Sequence, residues 1–494
     1  MPFCSRGVAA IAAIAAVLIA LVPTAASALP EAPVLTRHEI RVDGRRLRYS
    51  AEAGRLAIRD VASGEARGHV FYVAYRVDSA ERPRPLTFVW NGGPGAPATL
   101  LHFEVAGPKR LEDGRLVDNA DTWLTATDLV FVDPVGTGFS RPARAEYADE
   151  FYGTLGDVAS ITEFVRAWRL LHDATDAPVF LAGESWGAGR AANVGYALLE
   201  RGIPVAGLVL ISGGAGLQTP AEVRPLVAAL RVAHLAATGS WHGRTAPELG
   251  RDPEALVEAA ARWVRDTYAP ALARRHELTA EHRERIAREL ARYTGMPAER
   301  IDRETLEIPP RLYREALLAD EGRTLGVFDM RLTEEAEPRS RDAILRYLRH
   351  ELGFRTALPY IGIEEWTDGY APGGEYPRPV NARWNYATAP VTEEEMAAAI
   401  AEAVRTGAGP PRLGPPLPGT AEAVALAPDL RVLVAQGMYD SLANCPGSRA
   451  LAEHLPAELA RAMSFRCYVG GHMMYRDAET RSTFSRDVRE FVAR

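Results

Sequence analysis

Val179-Phe180-Leu181-Ala182-Gly183-Glu184-Ser185-Trp186-Gly187-Ala188-Gly189 is the stretch whose reading decides the fold. Its first four residues are apolar or small and predict a short buried strand, and Ala191 to Leu199 continue as a helix. Between them stands Gly183-x-Ser185-x-Gly187, a strand-to-helix turn that strains a serine and lifts its hydroxyl clear of the chain. Glycine is needed on either side because the tight turn brings backbones together where a Cβ would clash. The spacing predicts Ser185 as a nucleophile.

A nucleophilic serine needs a base to take its proton and an acid to orient that base. In the α/β-hydrolase order these follow as acid then histidine, each just after a late strand. Leu430–Ala435 predicts one such strand and leads into Gln436-Gly437-Met438-Tyr439-Asp440. Ser464–Val469 predicts the next and leads into Gly470-Gly471-His472. Among eleven histidines His472 is singled out by following a strand and two glycines. Asp477 is the rival acid, but it stands where the last helix begins. Acyl transfer also needs two fixed backbone donors for the developing oxyanion. One is the amide of Trp186, and the other lies in Asn91-Gly92-Gly93-Pro94-Gly95, at Gly92 or Gly93. No Gly-Lys-Ser/Thr follows that loop, so a phosphate cradle is excluded.

Outward from these motifs the chain reads as strands alternating with helices. His38–Asp60 alternates around Asp43-Gly44 as a hairpin; His69–Val77, Leu86–Trp90, Asp128–Asp133 and Val205–Ile211 predict further strands, and Leu155–His172 a helix. That pattern predicts an α/β class with a mainly parallel sheet, helices on both faces. From Thr219 to about Tyr347 the chain turns rich in Arg, Glu and Ala at helical spacing, with Thr279 as a helix N-cap. Residues 353–390 are heavy in Pro, Gly, Trp and Tyr, and 407–419 form a Pro/Gly linker. The expected organisation is a hydrolase core over 29–215 and 420–494, interrupted by a largely helical cap over 216–419. Trp366, Tyr370, Trp384 and Tyr386 of that insertion are candidate pocket walls.

At the amino end, Arg6, the apolar run Gly7–Val22, Pro23 and Ala26-Ser27-Ala28 predict a signal peptide over 1–28, with an uncleaved anchor as the alternative. Periplasmic or secreted placement follows, with no membrane association after cleavage. The ~465 residues that remain exceed the ~250–300 at which single cores stop growing, which suits a core carrying an insertion. A formal charge of −7 gives no sign of nucleic-acid binding. Lys109 is the only lysine among 57 basic residues, a matter of coding bias. Cys445 and Cys467 are too few for a disulfide scaffold; in an oxidising compartment they pair with each other, or else they are two unrelated buried thiols.

Taken together, Asn91–Gly95, Val132-Asp133-Pro134-Val135-Gly136-Thr137-Gly138-Phe139-Ser140, Gly183–Gly187 and Gly471-His472-Met473 resemble the successive motifs of the serine carboxypeptidases, in order. Asp440 followed by Asn444 is similar to that family's acid motif. The resemblance covers about 30–215 and 425–494 and leaves the insertion unmatched. It implies a triad of Ser185, Asp440 and His472, an oxyanion hole of the Gly93 and Trp186 amides, a carboxylate grip by Asn91, beside Gly92, and Glu184, and Met473 lining the leaving-residue pocket. Peptides are then the substrates, and the chemistry requires no metal or cofactor. Ungapped counting from Asn91 puts Val105 where many members carry a second glutamate, with Glu104 one place off. Ala96-Pro97-Ala98, Trp186 and Ala443 also depart from the usual residues. The reading is an exported serine carboxypeptidase working through an acyl-enzyme. Its rivals are an esterase or acyltransferase of the same fold, and a binding protein that has kept the fold without catalysis.

Overall fold

The computed structural model describes residues 32–78, 83–250, 252–333, 341–364, 379–406, 411 and 413–494. The expected signal segment 1–28 and the candidate wall residues Trp366 and Tyr370 lie outside them. In chain order the strands are β1 (Val34–Val42), β2 (Arg45–Arg59), β3 (Ala66–Val77), β4 (Leu86–Trp90), β5 (Lys109–Glu112), β6 (Arg115–Asp118), β7 (Asp128–Asp133), β8 (Arg141–Pro142), β9 (Val179–Glu184), β10 (Gly207–Ile211), β11 (Arg431–Gly437) and β12 (Met463–Tyr468). A 10-stranded sheet runs β1-β2-β3-β7-β4-β9-β10-β11-β12, with β8 paired to β3. β7, β4, β9, β10, β11 and β12 are mutually parallel, while β1, β2, β3 and β7 pair antiparallel. This is the predominantly parallel α/β-hydrolase architecture that the sequence predicts.

The alternation along each central strand explains why both faces are covered. Phe180 and Ala182 of β9, with Val209 and Ile211 of β10, face a core completed by Phe484, Val488 and Val492 of the final helix Ala478–Ala493. Val179, Leu181, Leu208 and Leu210 face the opposite core, built from Phe164 and Trp168 of α1 (Thr154–Leu171) and Ala191 and Val194 of α2 (Trp186–Glu200). Because the parallel strands share one direction, their carboxyl ends open on one edge, where ligands bind in sheets of this kind.

Helices from Arg224 to Ala316 enclose a separate apolar cluster that includes Leu235, Tyr268, Leu290 and Tyr313. Local signals set their ends: Thr279 Oγ1 accepts from His282 N, and Gly295, left-handed at φ 73°, closes Ala280–Thr294 by donating its N–H to Ala291 O. The stretch after these helices docks on the carboxyl edge: Met330 N donates to Tyr439 O (2.9 Å), and Ser441 Oγ to Val327 O (2.6 Å). Residues 343–360 behave differently from the helices before them. Ile344, Tyr347, Leu352 and Phe354 join the sheet's own core beside Phe71 and Phe139, although the helical composition of the segment predicts one continuous cap. Among the described residues no helix is long and apolar enough to cross a membrane.

Candidate active site

Four of the parallel strands deliver the predicted residues to one edge. β9 ends at Glu184, and Ser185 follows with φ 58° and ψ −125°. A non-glycine residue held there stores strain of order 1–3 kcal/mol, so its surroundings must fix it. They do so through Ser185 N to Ile211 O (2.8 Å) and Ala188 N to Ser185 O (3.0 Å). A Cβ on Gly183 would overlap the Gly187 carbonyl, and one on Gly92 would stand 2.5 Å from Trp186 N and 2.6 Å from Glu184 O. The glycine-rich loop after β4 is therefore pressed against the start of α2. Trp186 opens that helix, so its N–H has no intrahelical acceptor.

Past β11 and β12, Asp440 and His472 meet. His472 Nδ1 and Asp440 Oδ2 are 2.7 Å apart, both side chains buried, and Asp440 Oδ1 accepts from Leu442 N (2.9 Å). A carboxylate only accepts, so Nδ1 carries the imidazole proton and Nε2 is left as the basic nitrogen. His472 N donates to Phe328 O (2.5 Å), and its carbonyl accepts from Ser212 Oγ (2.7 Å). Burial disfavours the imidazolium, but the Asp440 carboxylate, by charge and hydrogen bond, and Glu184 outweigh it and hold His472 above the ordinary imidazole range. Asp477, the rival acid, caps the final helix, its Oδ1 accepting from Thr480 N (3.3 Å).

Glu184 is buried directly before Ser185. Asn91 Nδ2 (2.7 Å) and the Tyr475 hydroxyl (2.6 Å) both donate to its Oε2, while Asn91 Oδ1 accepts from Leu101 N (3.1 Å). Burial drives its pKa up to about 7, against the opposing influence of His472 and the Tyr475 hydrogen bond.

Residues 51–200 match the sequence profile of the serine carboxypeptidases. Over that segment the chain is similar to the serine carboxypeptidase family. The pheromone-processing carboxypeptidase of Meyerozyma guilliermondii is 34% identical over 126 residues, 25% of this chain and 18% of that protein. The serine carboxypeptidase-like 51 protein of Arabidopsis thaliana is 28% identical over 142 residues, 27% of this chain and 30% of that protein. The chain thus aligns with less than a third of the length of each of these relatives. In three dimensions it resembles a prohormone-processing carboxypeptidase of Saccharomyces cerevisiae at a TM-score of 0.51 and 16% identity, over 90% of this chain and 91% of that one, which is a likeness of fold.

The structure separates the two neighbouring residues that stand near the expected second glutamate. Counting without gaps selects Val105, but Val105 is fully buried in the apolar core, and it is Glu104 that joins the polar cluster. The reason is local: Leu101–Ala106 is a π-helical turn, whose wider ring shifts the face that each residue presents. Glu104 receives a bidentate grip from Arg476, Nε to Oε2 at 2.7 Å and Nη2 to Oε1 at 3.1 Å.

Tyr475 and Arg476 were not singled out by the sequence, although they directly follow the Gly-His-Met motif. Nor was the buried pair Arg190–Asp157, Nε to Oδ2 at 2.6 Å. Arg190 also donates from Nη1 to Asn91 O (2.8 Å), which ties the elbow helix to the glycine loop, and Asp157 is raised by burial against the pull of Arg190. Phe328 was missed as well. It comes from the insertion, lies with its ring 5.3 Å from that of His472, and is half exposed. Trp384 and Tyr386 do stand against the elbow, their rings 5.8 and 5.6 Å from that of Trp186. Met473 is partly buried against the sheet core. Cys445 and Cys467 are joined in a disulfide.

Proposed function

We propose that this chain is an exported serine carboxypeptidase that releases C-terminal residues from peptides through an acyl-enzyme, with Ser185, His472 and Asp440 as its triad. In this reading His472 Nε2 takes the Ser185 proton as Oγ attacks the scissile carbonyl. The oxyanion is held by the Gly93 and Trp186 amides. The imidazolium, stabilised by Asp440, then protonates the leaving nitrogen as the C–N bond breaks, and water repeats the sequence on the ester. Ser185 Oγ has no hydrogen-bond partner among the described residues, and in resting enzymes this contact commonly tightens only with substrate. The proposal treats 29–215 and 420–494 as the catalytic core, with the insertion as its cap.

The observation that carries the peptidase reading over the esterase one is Glu184. A buried carboxyl with a pKa of about 7, held by Asn91 directly before the nucleophile, is an awkward group to keep unless it is used. Protonated, it donates to a peptide's terminal carboxylate, with the second Asn91 amide hydrogen as partner. Labelling with a serine-directed phosphonate tests the nucleophile, and the expected adduct is on Ser185. Mass spectrometry of timed peptide digests tests the reaction. Ladders shortened one residue at a time from the carboxyl end are expected, whereas ester turnover with intact peptides would assign the site to an esterase.

A further inference from the structure

The donors around Glu184 are too few for the work assigned to them. A carboxylate offers about four lone-pair sites. Asn91 already spends one amide hydrogen on Glu184 and its oxygen on Leu101 N, and Tyr475 spends its hydroxyl hydrogen on Glu184. What remains on these side chains is one Asn91 hydrogen and, while Glu184 stays protonated, one proton on its free Oε1. Once Glu184 ionises, an incoming carboxylate meets Glu184 and Glu104 with a single neutral side-chain donor between them.

One further charged group stands in the cluster. The guanidinium of Arg476 grips Glu104 from the π-helical turn through Nε and Nη2, and its field reaches Glu184 at the end of β9. Its own loop contributes Tyr475 and, further back, the His472 imidazole. Nη1 makes no hydrogen bond among the described residues, and the side chain is 35% exposed. The fork is thus fixed in direction by Glu104 while one nitrogen is left to donate, an arrangement that a planar guanidinium supports and an ammonium does not.

We propose that Arg476 is a specificity-determining residue for the chain end: its Glu104-anchored guanidinium binds the free α-carboxylate of the leaving residue alongside Asn91 and Glu184. The proposal rests on the carboxypeptidase reading above and adds a charged member to its substrate grip. Pairing with Glu104 leaves the two side chains neutral together, so the site attracts a carboxylate by a directed donor rather than by net positive charge. The released amino acid is then not trapped by an unbalanced cation.

The test compares wild type, Arg476→Gln and Arg476→Lys on one N-blocked dipeptide as the free acid and as its C-terminal amide, at pH 7 and two salt concentrations. For Arg476→Gln the KM of the free acid should rise about 10- to 100-fold, the loss of one charge-assisted hydrogen bond, with kcat changed little. The amide's KM should stay within about twofold, since it carries no charge to lose. Arg476→Lys should recover part of the free-acid affinity with a steeper salt dependence. Equal losses on acid and amide, or a fall confined to kcat, would make Arg476 a structural brace for the loop and overturn the proposal. If wild type released residues from neither compound while still hydrolysing an ester, the carboxypeptidase reading itself would fall, a result distinct from either of these.

Discussion

The Tyr475 hydroxyl donates a 2.6 Å hydrogen bond to Glu184 Oε2, joining the residue just past the candidate base to the carboxyl just before the candidate nucleophile. Both groups are fully buried, and Tyr475 is raised well above an ordinary phenol by that burial and by Glu184 beside it. The hydroxyl therefore stays a donor across the working pH range. The bond fixes which oxygen of Glu184 is occupied and leaves Oε1 as the site for a proton or a ligand. It also fastens the β12 loop to the end of β9, so the positions of Ser185 and His472 are set by one another's surroundings.

Glu184 should govern the pH dependence of binding. Its pKa of about 7 means that the neutral form, the donor, prevails in acid and is lost as pH rises through neutrality. KM for a free-acid peptide should accordingly rise between pH 6 and 8, while KM for its amide stays flat. Glu184→Gln should flatten the acid profile. Stability carries the same sign. Relative to an unfolded glutamate near 4.5, the folded protein holds the extra proton, so this stabilisation is full below 4.5 and lost as pH rises through about 7. His472, also raised, adds a loss in the same direction. Urea midpoints measured from pH 4.5 to 8 should fall less steeply in Glu184→Gln; parallel curves would mean that Glu184 does not titrate in this range.

The triad reading predicts non-additive losses. Ser185→Ala and His472→Ala should each remove nearly all turnover, and the double variant should be little worse, because the residues act as one unit. Asp440→Asn should lower kcat by about 10⁴-fold by presenting an amide donor to His472 Nδ1 and favouring the wrong tautomer. Retention of activity within about tenfold in His472→Ala would assign the base elsewhere. Far-ultraviolet circular dichroism should be unchanged in all of them.

Much of the core was legible because its signals are local. The Gly-x-Ser-x-Gly elbow, the strand preceding it and the late strands before Asp440 and His472 each carry their own chemistry within a few residues. The features that escaped depend on contacts across the chain. Arg476 meets Glu104 from the far end of the sequence, and the π-helical turn at Leu101–Ala106 defeats any count along the chain. Phe328 lies in a helical insertion whose composition gives no hint that its carbonyl would accept from the His472 amide. Residues 343–360 look like more of the same insertion, yet their apolar side chains complete the sheet's core, because Phe71 and Phe139 leave a face there to be covered.

Aromatic side chains from the insertion should set side-chain preference. Phe328 lies half exposed beside His472, and Tyr386 stands against Trp186 with the buried Trp384 packed on the same ring. Phe328→Ala should lower kcat/KM for peptides with a bulky apolar residue at the scissile bond by about tenfold, the value of a few lost methylene-sized contacts, and leave small-residue peptides within about twofold. A uniform loss across a peptide panel would instead mean that Phe328 supports the His472 loop. Tyr386→Ala, tested on the same panel, should change preference for a different substrate position.

The Cys445–Cys467 disulfide ties the helix that follows Asp440 to the strand that precedes His472. It closes a separation of 22 residues, for which chain entropy alone predicts a contribution of about 3 kcal/mol, by restricting the unfolded chain. Because the acid and the base stand just outside the two bonded cysteines, one at each end, removal of the bond should act on both stability and turnover. Cys445→Ala/Cys467→Ala should lower the urea midpoint and, at temperatures where the fold persists, reduce kcat more than it raises KM, since the Asp440–His472 contact is loosened while Asn91 and Glu184 are untouched. Dithiothreitol should move wild type toward the double variant and leave that variant unchanged. Cys445 is buried, so reduction should need partial unfolding and should lag behind addition of the reductant. A wild-type midpoint and kcat that do not respond to reductant, even after unfolding and refolding in its presence, would show that the cross-link contributes to neither.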